Sequence, residues 1–307
     1  MHRFGRRQFL ATALTSAVVA SCARQNQSKS NTPSSTPANR IVALEWVYVE
    51  DLLALGIQPI GVADIRGYKT FVDIEPTLAE TVVDVGTRQE PSLEAIAQLQ
   101  PDLIIGTQLR HEAIYDSLSA IAPTLLFNPY PDSNALSQFD EMQQTFRAIA
   151  ERVNRRDAGE AVLRQMQDTF KAASDRLKST NQKNNSFILG QFNEATPQIR
   201  LFTDNAMAVQ ILNQIGLENV WKGQIDRFGF NTVGIEAFPK LEQANFLYIA
   251  AENNTHLKQL QNNPVWKGLQ FVQEKRLYSI GAETWVFGGP KSAQVLVEKV
   301  TTALTRK

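Results

Sequence analysis

Residues 93–105 read LEAIAQLQPDLII, and residues 235–249 read IEAFPKLEQANFLYI. Each opens on a short amphipathic segment, with Glu94-Ala95 matching Glu236-Ala237 and Leu99 matching Leu241, and each closes on an apolar run. A helical period followed by a few consecutive apolar residues is the pattern of a helix feeding a buried strand. A second pair, LLALGI from Leu52 and ILNQIGL from Ile211, stands in the same order relative to the first. Two ordered echoes in one chain predict two lobes of similar construction.

Around the first copy, strand-like runs at 40–44, 60–63, 82–85, 103–106 and 124–127 alternate with helical patterns at 49–55, 93–99 and 112–120. Gly56 stops the first of those helices. Such alternation predicts an α/β layer structure with a mainly parallel sheet. Between the copies lies a polar, helical stretch, 135–178, with no proline and Gly159 as its one glycine. Within it Val162, Met166, Phe170 and Ala173 make one apolar stripe. A break near Asn154 leaves a helix over 155–179, about 37 Å long at 1.5 Å per residue, which can run from one lobe to the other. The expected boundaries are 40–154 for the N-terminal lobe, 155–179 for the interlobe helix and 180–307 for the C-terminal lobe. Lobes joined by one stiff helix close less far than lobes joined by flexible strands, so small lobe motions are expected on binding.

The first 39 residues are of another kind. MHRFGRRQFL carries paired Arg6 and Arg7, and a run of small and apolar residues at 11–20 follows. That run is shorter than the roughly 20 residues a membrane-spanning helix needs. A basic start, a short apolar centre and small residues before a break describe an export signal over 1–21. The adjacent arginines ahead of Phe9 and Leu10 resemble the twin-arginine signal. Val19-Ala20-Ser21-Cys22 resembles a bacterial lipobox, in which the cysteine becomes the first mature residue and carries lipid on its sulfur. Cys22 is the only cysteine in the chain; the alternative is a signal cleaved elsewhere, with Cys22 incidental. Residues 22–39 follow as a polar tether that cannot bury enough surface to fold.

Loss of the signal removes Arg3, Arg6 and Arg7 and no acids, which takes 31 basic residues to 28 against 31 acidic ones, a formal net of −3. This balance argues against nucleic acid as the partner. No Walker P-loop is present, since FGGPKSA from Phe287 lacks the spacing, and no GxGxxG follows a strand. With His2 in the signal, only His111 and His256 remain. Bare zinc or manganese is held by several converging histidines and carboxylates, so that class of ligand is disfavoured. There is no G-x-S-x-G elbow, and two scattered histidines speak against a hydrolytic triad.

RIVALEWVYVEDLLALGIQPIGVAD from Arg40, DVGTRQEPSLEAIAQLQPDLII from Asp84, PVWKGLQFVQEKRLYSI from Pro264 and ETWVFGG from Glu283 together resemble the substrate-binding proteins of ABC importers for iron–siderophore complexes, in particular the ferric hydroxamate and ferric citrate binders. The resemblance runs over roughly residues 40–304. It implies two Rossmann-like lobes with mainly parallel sheets, joined by one long interlobe α-helix, the helical-backbone periplasmic binding protein fold. It implies a non-enzymatic receptor with no cofactor. The ligand it implies is a ferric siderophore or ferric citrate, and the partners it implies are ABC importer permease subunits. The protein is expected as a monomer, lipid-anchored through Cys22 on the periplasmic side of the cytoplasmic membrane in the cell envelope. Two other readings stay open: the same fold binding haem or a corrinoid, and an envelope enzyme using the interlobe cleft.

In open α/β sheets ligands bind beyond the carboxyl ends of strands. Iron in a ferric siderophore is already coordinated, so the protein needs cationic donors for the chelating oxygens and aromatic walls for the organic shell. Arg88 follows the strand 82–85 across Gly86, ahead of Glu90-Pro91, where the resemblance implies an oxygen-binding arginine; otherwise it pairs with Glu90 or Glu94 on the surface. Arg227 and Phe228 lie in DRFGFN, where the family's hydroxamate binders tend to have aromatics. If Arg88 and Arg227 both face the cleft, an anionic, citrate-like chelate fits; otherwise Arg227 is a solvated loop residue. Trp285 follows the strand 277–280 at a position the resemblance assigns to a cleft aromatic, with a core tryptophan as the alternative. By the same resemblance Tyr68 and Phe71 line the first lobe. Trp46, just past the first strand, faces cleft or core, and Arg110 follows the strand 103–106. Glu112 and Glu236, at matching places in the two lobes, are the acids the resemblance implies for permease docking; otherwise they are ordinary solvated helix acids.

Overall fold

A computed structural model describes residues 38–131, 136–180, 184–192 and 198–306. Cys22, the signal and almost all of the tether lie outside the described residues.

The first lobe runs β1 (Ile41–Ala43), α1 (Trp46–Ala54), β2 (Gly61–Val62), α2 (Ile65–Phe71), β3 (Val83–Asp84), α3 (Leu93–Gln98), β4 (Leu103–Thr107), α4 (Gln108–His111), α5 (Tyr115–Ile121) and β5 (Thr124–Phe127). Its strands are ordered β3-β2-β1-β4-β5, and every pairing is parallel. Strand order reverses between β1 and β4, and that reversal opens a crevice at their carboxyl ends. β1 is covered on both faces, so all three of its residues are apolar and buried.

Two helices follow. α6 (Gln138–Arg152) ends at Asn154, whose φ of 55° is left-handed, and α7 (Arg156–Ser179) begins two residues later. Asparagine tolerates that conformation, so the break falls where the sequence placed it. The 24 residues of α7 span about 36 Å. Its buried stripe is Gly159, Leu163, Met166, Phe170, Ala173 and Leu177, a 4-3-4-3-4 spacing. Val162 lies beside that stripe rather than in it, partly buried against the same core. At Gly159 the two helices approach so closely that a Cβ would stand 2.8 Å from the Cβ of Ala150. Only glycine admits this contact without displacing α6.

The second lobe runs β6 (Ser186–Phe192), β7 (Ile199–Phe202), α8 (Met207–Gln214), β8 (Glu218–Asn219), β9 (Phe230–Val233), a 3-10 helix (Ile235–Lys240), β10 (Asn245–Ile249), α9 (Thr255–Leu260), α10 (Pro264–Gly268), α11 (Gln270–Gln273), β11 (Leu277–Ser279) and α12 (Pro290–Thr305). Its sheet is ordered β11-β10-β6-β7-β9, with β8 also on β6. β6, β8, β10 and β11 pair in parallel, while β7 runs against both β6 and β9. The echo is therefore real but incomplete. β6, β10 and β11 repeat β1, β4 and β5, and α8 leads into β8 as α1 leads into β2. The copy of α3 tightens to a 3-10 helix because it contains Pro239, which has no N–H for an α-helical bond.

One continuous apolar core joins the lobes: Ile41, Ala43, Leu103 and Ile105 in the first sheet, Phe187 and Leu189 in the second, and the stripes of α7 and α12. α12 belongs to the second lobe by sequence yet packs along α7 and against α1 of the first. Its N-terminus is held by Glu50 of α1, whose carboxylate accepts from Ser292 N at 2.7 Å and Ser292 Oγ at 2.5 Å.

Candidate ligand-binding cleft

The crevice between the lobes has a volume of about 1190 Å³ counted out to its open mouth. Its first-lobe side starts at the β1–β4 reversal. Glu45, in the extended residue before α1, projects between two arginines. Its Oε1 lies 3.1 Å from Arg110 Nη1 and its Oε2 lies 3.4 Å from Arg88 Nη1. Arg88 Nε also stands 3.8 Å from Asp64 Oδ2. Burial pushes the Glu45 carboxyl up, and the charges of Arg110 and Arg88 oppose that rise.

The loop that carries Arg88 is built to hold still. Gly86 takes φ +99°, a left-handed value that suits glycine, and its carbonyl accepts from Asp64 N at 2.7 Å. Thr87 Oγ1 accepts from Glu90 N at 2.9 Å. His111 clamps the loop from the other side: its Nδ1 accepts from Thr107 N at 3.0 Å, so its Nε2 carries the proton it donates to Arg88 O at 2.9 Å. Burial lowers the His111 pKa, which keeps the ring in this neutral tautomer. The guanidinium itself lies 3.6 Å from the centre of the Trp46 ring, a close cation–π contact. Arg88 thus pairs with Glu45 across the cleft floor rather than with Glu90 or Glu94.

The second lobe contributes flat surface. Trp285, Phe287, Phe230 and Phe228 form a continuous wall, with successive ring centroids 5.4, 6.5 and 6.2 Å apart. Arg200, on β7, lays its guanidinium 4.6 Å from the centre of Phe230. Two aromatic pairs bridge the lobes: Trp46 with Trp285 at 5.0 Å, and Tyr130 with Phe228 at 5.1 Å. Two further acids line the cleft. Asp51 is 1% exposed and is raised well above the usual carboxylate range by burial and by Glu50. Burial raises Glu141 to about 7, against the opposing hydrogen bond from Thr145 Oγ1 at 2.5 Å.

Of the residues singled out from sequence, Arg88, Arg110, Trp285 and Phe228 line this cleft together. Trp46 is 2% exposed and supports Arg88 from the core side. Phe71 stacks on Trp46 at 6.0 Å and is 43% exposed, outside the cleft lining. Tyr68 is a correction. It points into the core at 3% exposure, because α2 turns that face toward α1, and burial raises its hydroxyl pKa. Arg227 is another. It sits in an adjoining groove with Leu109, Arg110, Glu112 and Asn128, and the second-lobe arginine of the main cleft is Arg200. Glu112 and Glu236 are both exposed but not equivalent. Glu236 opens the 3-10 helix before β10, so its counterpart is Glu94 on α3, whereas Glu112 follows β4.

Glu45, Arg200, Tyr130 and Phe287 are cleft residues that the sequence reading does not single out. Glu45 directly follows a strand, the same rule that selects Trp46. Arg200 sits between buried Ile199 and Leu201, a lone charge in a strand that marks the sheet's cleft face. Among the described residues no group of three or more His, Cys, Asp or Glu could hold a metal ion, and no helix is long and apolar enough to cross a membrane.

Two α/β lobes, a helical spine and a deep crevice at the strand ends define a ligand-capturing binding protein. The chain belongs to the periplasmic binding protein family, whose profile matches residues 41–284. The probable siderophore-binding lipoprotein YfiY of Bacillus subtilis is 32% identical over 287 residues, covering 88% of this chain and 84% of its own. The iron(3+)-hydroxamate-binding protein FhuD of Escherichia coli is 29% identical over 269 residues, 88% of each chain. Among solved structures, the siderophore-binding protein FhuD of Vibrio cholerae, bound to Fe3+–Desferal, superposes with a TM-score of 0.79 at 26% identity, over 87% of this chain and 97% of that one.

Proposed function

We propose that this protein is the receptor of an iron importer: it captures a ferric siderophore or ferric citrate in the interlobe cleft and hands it to the permease subunits of an ABC transporter. The observation that carries the reading is the pairing of Arg88 and Arg110 on one wall with Trp285, Phe287 and Phe228 on the other. Guanidinium N–H groups suit the oxygens around a coordinated ferric ion, and flat rings suit the organic shell. The relatives named above, whose names refer to siderophores or iron hydroxamates, support the same class of ligand. The iron needs no protein ligand, which agrees with a cleft lined by arginines and rings.

The anchor belongs to this proposal too: lipid on Cys22 and the tether over 22–39 would keep the receptor near its permease. Docking is assigned to exposed acids, Glu112 on the first lobe and Glu236 on the second, acting on permease arginines. Quenching of tryptophan fluorescence by ferrichrome or ferric citrate, with no response to haem or cobalamin, is the expected result. Saturable quenching by haem or cobalamin alone would instead favour the metallo-cofactor reading.

A further inference from the structure

Glu45 is placed by the fold with little freedom. Its neighbours Leu44 and Trp46 are 0% and 2% exposed, and Glu45 itself is 6% exposed. It stands before the first turn of α1 but makes no side-chain cap; its carboxylate is turned to the arginines instead. Those arginines come from separate segments, the loop after β3 and α4. Bringing two like charges together in a crevice with little water is unfavourable unless an anion sits between them. Here the protein supplies that anion, at 3.1 and 3.4 Å, and Asp64 Oδ2 adds a weaker negative contact at 3.8 Å from Arg88 Nε.

Resting on the receptor reading above, we infer that Glu45 is a resident counterion that sets the charge of chelate the cleft accepts. Its carboxylate fills the anion position between Arg88 and Arg110 and removes one of their two positive charges, with the more exposed Asp64 screening Arg88 further. A neutral chelate binds through N–H groups that Glu45 leaves unused, since each guanidinium has five. An anionic chelate meets those donors with a fixed carboxylate beside them, and like charges placed together are how a site rejects the wrong partner. Arg200 lies on the opposite wall over Phe230 and does not touch Glu45. A residue that merely held the arginines in position would influence all chelates alike.

The test compares affinities for ferric citrate, an anionic chelate, and ferrichrome, a neutral ferric trihydroxamate, in the wild type, Glu45→Gln and Glu45→Ser. Dissociation constants come from fluorescence quenching at one ionic strength. The ratio of ferric citrate affinity to ferrichrome affinity should rise about tenfold or more in both variants. A ratio that stays put, because both ligands weaken or tighten together, overturns the inference. If the wild type binds neither chelate, the receptor reading fails by itself. Calorimetry with iron-free citrate then decides the role of Glu45: tighter binding in Glu45→Gln upholds it, and equal binding removes it.

Discussion

The two walls of the cleft are made of different material. The first-lobe wall is charged, with Glu45, Arg88 and Arg110 converging at the reversal of a wholly parallel sheet. The second-lobe wall is aromatic, with Phe230 at the start of β9 and Phe228, Phe287 and Trp285 on the loops beside the mixed sheet. The lobes share a plan but not a task. Arg200 on β7 and Phe230 on β9 enter the cleft from within strands, whereas Glu45, Arg88 and Arg110 lie just past the strand ends of the first lobe. The difference teaches that a repeated scaffold can carry paired charges on one wall and stacked rings on the other.

That division can be broken most severely on the charged side. Arg88→Ala should weaken ferric-chelate binding by about 10- to 100-fold, from loss of charge-assisted bonds worth roughly 1.5–3 kcal/mol, and the residual binding should depend less on salt. Unchanged affinity in a quenching titration would remove Arg88 from the site. Glu141 sharpens the contrast through pH. Its carboxyl rises from 4.5 to about 7 on burial, so the fold is favoured while the group is protonated. That contribution is complete below about pH 4.5 and is lost as pH climbs through 7, a change on the order of 3 kcal/mol. Denaturant melts of Glu141→Gln should therefore be flatter between pH 5 and pH 8, with the gain at pH 8; parallel curves for wild type and variant would refute the assignment. On the aromatic side, Trp285→Ala should cost several-fold in affinity, about 0.5–1.5 kcal/mol beyond area, with little salt dependence, and Trp285→Phe should restore much of it. A loss as salt-sensitive as that of Arg88→Ala would erase the distinction between the walls. Smallest are the exposed acids: Glu112→Ala and Glu236→Ala should each weaken permease coupling by at most about 1 kcal/mol, visible in ligand uptake and not in ligand capture.

The fold is largely legible because the helix-then-strand echo is written in residue spacing, and the α6–α7 break in a single asparagine. Strand direction is not legible: IRLF at 199–202 reads the same whether β7 runs with or against its neighbours. In the site, Arg88 and Trp285 are visible as residues just past strands. Tyr68 and Phe71 stand three apart on α2 and look like a pair, yet Tyr68 turns into the core while Phe71 only stacks on Trp46 and stays exposed. Glu45 is hidden from any reading that looks for donors, because a site that neutralises its own donors contains an acceptor. Arg200 is hidden because it lies within a strand rather than after one.

The hold of Glu50 on Ser292 ties residue 50 to a helix that ends at residue 305. Until the last helix exists, a fully buried carboxylate on α1 lacks the Ser292 donors that meet it, and α1 has only its other neighbours, α6 and β1, to lie against. The packing of the N-terminal half is therefore incomplete until the C-terminal helix is in place. Synthesis is vectorial, but completion is joint: the two ends of the polypeptide finish each other.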